Sequence, residues 1–93
     1  MHVYSLALQL ALPSRSLKGK RGIVKSILAR ARQRFNVASA EVRLQDTPDM
    51  AEVAFVTVSG DRALARQLLE RLEDWLVEER PDVDIIGVEI EER

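Results

Sequence analysis

The strongest constraint on this chain's fold is a hydrophobic period that changes, and changes back, along its length. In "HVYSLALQLAL" (residues 2–12), Tyr4, Leu6, Leu8, Leu10 and Leu12 alternate with Val3, Ser5, Ala7, Gln9 and Ala11. A period of two sustained this long predicts a strand. Pro13 ends it, and Ser14 or Ser16 caps the helix that comes next. From Leu17 to Phe35 the period becomes helical, with Ile23, Val24, Ile27, Leu28, Ala31 and Phe35 on one face. Asn36 is the expected C-terminal cap.

The pattern then runs in the same sense a second time. "NVASAEVRLQ" alternates Ala38, Ala40, Val42 and Leu44 with Ser39, Glu41, Arg43 and Gln45. "DTPDM" reads as a turn built on Asp46, Pro48 and Asp49. "AEVAFVTVS" is a strand apolar on both sides. Ser59 or Asp61 opens a second helix that runs to about Arg80, with Leu64, Ala65, Leu68, Leu69, Leu72, Trp75 and Leu76 as its buried stripe and Pro81 beyond its end. "VDIIGVEIEER" closes as a strand, with Ile86, Val88 and Ile90 inward. The order βαββαβ predicts an α+β, ferredoxin-like fold. Residues 1–93 then form a single domain: a four-stranded antiparallel sheet with two helices on one face.

The absence of cysteine excludes disulfides, thiolate metal sites and cysteine nucleophiles, and fits a reducing, cytoplasmic setting. No run approaches the roughly 18 apolar residues of a spanning helix, so no membrane role is expected. The apolar N-terminal stretch lacks the basic region of a signal peptide. The formal net charge of -1 conceals a strong separation. Residues 1–43 carry nine Lys/Arg against Glu41 alone, a charge of +8, while residues 44–93 carry five Lys/Arg against fourteen acids, a charge of -9. Such separation creates a basic face on a nominally acidic protein.

That basic charge concentrates at "SRSLKGKR" (residues 14–21), the start of the first helix. A helix N-terminus presents free N–H groups and partial positive charge, so cations there oppose the dipole. Lys18, Arg21, Lys25 and Arg32 extend the cluster into a track about 20 Å long at 1.5 Å per residue, a shape suited to a phosphate backbone. The candidate anion- or RNA-binding set is therefore Ser16, Lys18, Lys20, Arg21, Lys25 and Arg32. The competing reading is a solvated helix face, partly neutralised by Glu70, Glu73, Glu78 and Glu79 of the second helix. Aromatics for base stacking are lacking on the first strand's outer side, so shape and phosphate contacts would dominate.

Catalytic and metal chemistry find little support. His2 is the sole histidine and adjoins the N-terminus, and Asp46, Asp49 and Glu52 read as ordinary turn residues. The fold is shared with acylphosphatases, but no glycine-rich phosphate loop with its arginine and asparagine is present. No catalytic residue, metal or cofactor is expected. Apolar residues on both sides of the third strand indicate that the sheet's second face is at least partly covered, with Ala7, Ala11 and Ala54 leaving room for a close approach, and a homodimer is the expected cover.

"SLKGKR", "RFNVASAEV", "QD" and "AEVAFVTVSGDR", in that order and spacing, resemble the YlxP-like family of small bacterial proteins along essentially the whole chain. The resemblance implies a ferredoxin-like fold and no defined activity, since the family is one of unknown function. It also implies an RNA or ribosome connection, by the company its genes keep with those of translation initiation and ribosome maturation. The chain departs from the family in the loop after "QD", where Pro48 and Met50 stand instead of a tryptophan and an arginine. The expected function is a non-catalytic accessory domain that binds structured RNA or a ribosomal particle through its first helix. The alternative is a homodimeric protein-interaction or small-molecule regulatory module acting through the open sheet face.

Overall fold

In the computed structural model, which describes residues 1–93, the first alternating run is strand β1 (His2–Ala11). Tyr4, Leu6, Leu8 and Leu10 are buried on one side of it. β1 lies inside the sheet and is paired antiparallel on both edges. One neighbour is β3 (Met50–Ser59), in continuous register from His2 opposite Ser59 to Ala11 opposite Met50. The other is β4 (Asp84–Glu92). β2 (Ala38–Arg43) pairs with the far side of β3, giving the order β2-β3-β1-β4. This is the ferredoxin-like α+β arrangement, with β2 and β4 as its edges.

Helices α1 (Leu17–Arg34) and α2 (Arg62–Glu79) cover one face, α2 across β1 and β3 and α1 along β2. Between helices and sheet lies the core, where Leu6, Leu8, Leu10, Ile27, Val53, Phe55, Leu69, Leu72 and Leu76 are fully buried. Phe35 and Trp75 meet edge to face with centroids 5.7 Å apart, a geometry that suits the ring quadrupoles. Thr57 donates to the Asn36 carbonyl at 2.8 Å, fixing the α1–β2 connection to the middle of the sheet.

Several local expectations are corrected. Phe35, not Asn36, closes α1: its N–H reaches the Ala31 carbonyl while its ring enters the core. Leu64 is 58% exposed and lies outside the α2 stripe, which is carried by Ala65, Leu69, Leu72 and Leu76. In β4, Ile85 and not Ile86 packs on the core, because the register slips by one residue there. Gln9 stands opposite Gly87 and Leu10 opposite Ile85, so Ile86 is the extra residue of a bulge. Val88 stands opposite Leu8 yet stays half exposed on the edge strand.

β2 is oriented against simple hydrophobicity. Its Ser39 and Glu41 stand opposite buried Phe55 and Val53, and so face the helix layer. Ala38 and Ala40, opposite Val56 and Ala54, face away from it. Two polar side chains beneath a helix require polar partners, and α1 supplies them.

Candidate nucleic-acid interface

α1 begins in an extended segment whose two serines are locked into its cap. The Ser16 hydroxyl accepts the Gly19 N–H at 3.1 Å, and the Ser14 hydroxyl donates to the Ser16 carbonyl at 2.9 Å. A Cβ on Gly19 would come within 3.1 Å of Ser14 Oγ and 3.2 Å of Ser16 Oγ, so glycine lets the two hydroxyls close over the first turn. No acidic side chain occupies that turn. The cap satisfies orphan donors internally, and Ser16 thereby has a structural duty whatever else it touches.

Of the six residues singled out from sequence, Lys20 is misplaced by that reading. It is only 1% exposed, its ammonium donates to the Leu44 carbonyl, and it sits 3.0 Å from Glu41 Oε2. Leu44 adopts a positive φ of 64°, within the segment that carries its carbonyl to the lysine. The reason is positional. Lys20 falls on the same helical face as Val24, Ile27 and Ala31, so it points under α1 rather than away from it. Glu41, the lone acid of the basic half, is the partner that composition alone did not identify.

Lys18, Arg21, Lys25 and Arg32 are exposed, as is Arg15 just before the cap. None of the five is within ion-pairing distance of a carboxylate. The neutralisation anticipated from α2 does not reach them: its one ion pair to α1 joins Glu79 to Arg30, outside the track. Arg32 instead donates to Ser39 Oγ at 2.7 Å, and Ser39 reaches back to the Leu28 carbonyl at 3.4 Å. Arg21, Val24, Lys25, Leu28, Arg32 and Glu41 line a groove of about 290 Å³ between α1 and β2. Cations therefore stand around an apolar floor, with one carboxylate at the β2 side.

The opposite face of the sheet has a different character. Val56 and Val58 are 39% and 51% exposed there. In register, Ala38, Val56, Ser5 and Glu91 form one row across the strands, and Ala40, Ala54, Ala7 and Glu89 the next. Arg43 lies 3.6 Å from Glu52 and Arg93 lies 3.1 Å from Glu91. The Glu89 carboxyl is held above the usual glutamate range by its hydrogen bond to Glu91 and by that neighbour's charge. No three His, Cys, Asp or Glu side chains converge on a common point as metal ligands would. No helix is long and apolar enough to cross a membrane.

Residues 3–90 match the family described as "Protein of unknown function (DUF503)", a description that names no enzymatic activity. Over 57 residues the chain is 37% identical to the "Uncharacterized protein YlxP" of Bacillus subtilis (strain 168), a span of 61% of this chain and 62% of that protein. With the family matched along nearly its whole length and the expected βαββαβ sheet beneath it, the chain belongs to the YlxP-like family, DUF503.

Proposed function

We propose that the exposed face of α1 binds the phosphate backbone of structured RNA, as an accessory domain acting on an RNA or ribosomal particle. One observation carries this reading. Lys18, Arg21, Lys25 and Arg32 are exposed along one helix, and no carboxylate of the protein lies within ion-pairing distance of them. Lys20 belongs to the scaffold of that surface and not to its contact set. A track of cations contributes binding through release of condensed counterions, which makes affinity fall steeply with salt.

The test is a titration of structured ribosomal RNA at low and near-physiological salt. Wild type is compared with the triple variant Lys18→Glu, Arg21→Glu, Lys25→Glu, which leaves Lys20 in place. The expected result is a steep negative salt slope for wild type and loss of binding in the variant. Equal binding by the two proteins, or none by either, would overturn the reading.

A second reading is favoured by the apolar rows on the helix-free face of the sheet: self-association through that face. The occupant is a second copy of the chain. The rim carries charges of both signs, Arg43 and Arg93 beside Glu52, Glu89 and Glu91, as a patch that must complement itself requires.

A further inference from the structure

We infer that the groove between α1 and β2 holds one unstacked base of the bound RNA; the inference rests on the phosphate-binding reading of α1 and names what the same surface selects. Two properties meet in this groove. Its rim, Arg21, Lys25 and Arg32, is cationic and free of carboxylate partners, so phosphates on either side of an everted nucleotide find a counter-charge. Its floor, Val24 and Leu28, is apolar, which a phosphate backbone alone would not use. A nucleobase joins these two needs: a flat face that seats on aliphatic carbon and a backbone that needs cations. Guanidinium planes stack on bases much as aromatic rings do, so Arg21 and Arg32 can cover a base in a protein without aromatics on that surface.

Size and polarity narrow the occupant further. At about 290 Å³ the groove is at the small end of ligand sites, room for one heterocycle and not for a duplex. Glu41 supplies the polar end. Its Oε2 is buried against the Lys20 ammonium, so what Glu41 offers the groove is the part-exposed remainder of its carboxylate, which only accepts hydrogen bonds. A base must therefore present a donor edge to it, an amino group or ring N–H. An acidic peptide would satisfy the same cations but would set its own carboxylates against Glu41.

The helix-free sheet face, where four-stranded RNA-binding sheets of this shape usually stack bases, is unsuited to that role here. It carries no aromatic residue, and its two arginines, Arg43 and Arg93, are already paired with Glu52 and Glu91 beside a further carboxylate, Glu89, which leaves no free cation there for phosphate. The base site thus falls beside the helix, where the positive charge is.

The test uses fluorescence anisotropy with RNAs that share one stem. They are a blunt duplex, hairpins with short loops of each base, and the best-bound hairpin with abasic sugars in its loop. The expected result is a hairpin bound about tenfold more tightly than the duplex, in line with the effect of one stacked base. The abasic loop should fall back to the duplex level with the salt slope unchanged. Leu28→Ala, verified as folded by circular dichroism, should lose the loop preference and keep duplex binding. Equal, salt-dependent binding of loop, abasic loop and duplex would overturn the base site and leave the phosphate reading standing. Absence of salt-dependent binding to any of these RNAs would overturn both. Displacement of the hairpin by polyglutamate as effectively as by unlabelled hairpin would reduce the groove to a general polyanion site and overturn the base inference.

Discussion

Removing an ammonium group from water costs several kcal/mol unless a carboxylate and hydrogen-bond acceptors replace the solvent. Lys20 has both, in Glu41 and the Leu44 carbonyl. Substituting it by Met leaves Glu41 beneath α1 without its cation, and unfolding in urea should show a loss of about 3 kcal/mol. Lys18→Met, on the exposed face, should stay within about 0.5 kcal/mol of wild type. Pairing Lys20→Met with Glu41→Leu should recover most of the loss, since replacing both members of a buried pair is often near neutral. Glu89 is the other residue with a clear signature. Its carboxyl titrates above the usual range because Glu91 hydrogen-bonds to it and repels its charge. The folded state therefore holds this proton more tightly than the unfolded chain does. The resulting stability is present below the unfolded value and is lost as pH rises through the folded one. Glu89→Gln should raise the melting temperature at pH 7 and converge with wild type below about pH 4, with a smaller difference at high salt.

At the scale of elements, α1 is a helix held by its surroundings more than by its own propensity. Gly19 and Gly22 lie in its first turns, where each costs up to about 1 kcal/mol relative to alanine. The two are not equivalent. A Cβ on Gly22 meets nothing within 4 Å, whereas one on Gly19 presses on the two cap hydroxyls. Gly22→Ala should therefore stabilise the protein by about 0.5–1 kcal/mol in thermal or urea unfolding. Gly19→Ala should gain nothing, because the cap must open to admit it. β2 shows the converse dependence. As a short edge strand with Ser39 and Glu41 turned inward, it is joined to α1 by Arg32 and Lys20 rather than by apolar packing. The candidate groove runs along this polar seam, with Arg32 and Glu41 in its lining.

For the molecule as a whole, positive charge lies along α1, while the helix-free side of the sheet is apolar with a rim of mixed sign. These surfaces can act independently, and their variants should separate. Ala54→Arg places a charged side chain between Ala7 and Ala40 in the middle of the apolar rows. If a second copy covers that face, sedimentation equilibrium should show a dimer for wild type and a monomer for this variant, with RNA binding and its salt slope intact. A wild-type protein that sediments as a monomer at high concentration would remove the dimer reading.

The chain's periodicities, punctuated by its turn and cap residues, determined the six elements and their order, because period two and period 3.6 place apolar side chains on one face in different ways. They did not determine which face β2 buries, since its alanines turn away from the helices and Ser39 and Glu41 turn in. Tyr4, Leu6, Leu8 and Leu10 are readable as core from their period, as are Ala65, Leu69, Leu72 and Leu76. The basic track on α1 is readable too, since helical spacing alone places Lys18, Arg21, Lys25 and Arg32 together. The same spacing places Lys20 with Val24, Ile27 and Ala31, but a lone cation on an apolar face becomes intelligible only when its partner is known. That partner, Glu41, is 21 residues away in sequence and reaches Lys20 through the pairing of β2 with β3. Ile86 departs from its pattern for a related reason, because a one-residue bulge reverses the side a residue faces and leaves no mark in local hydrophobicity. Only the tertiary structure decided these points, since each depends on which strand lies alongside which, and pairing between distant segments is not encoded in the period of either.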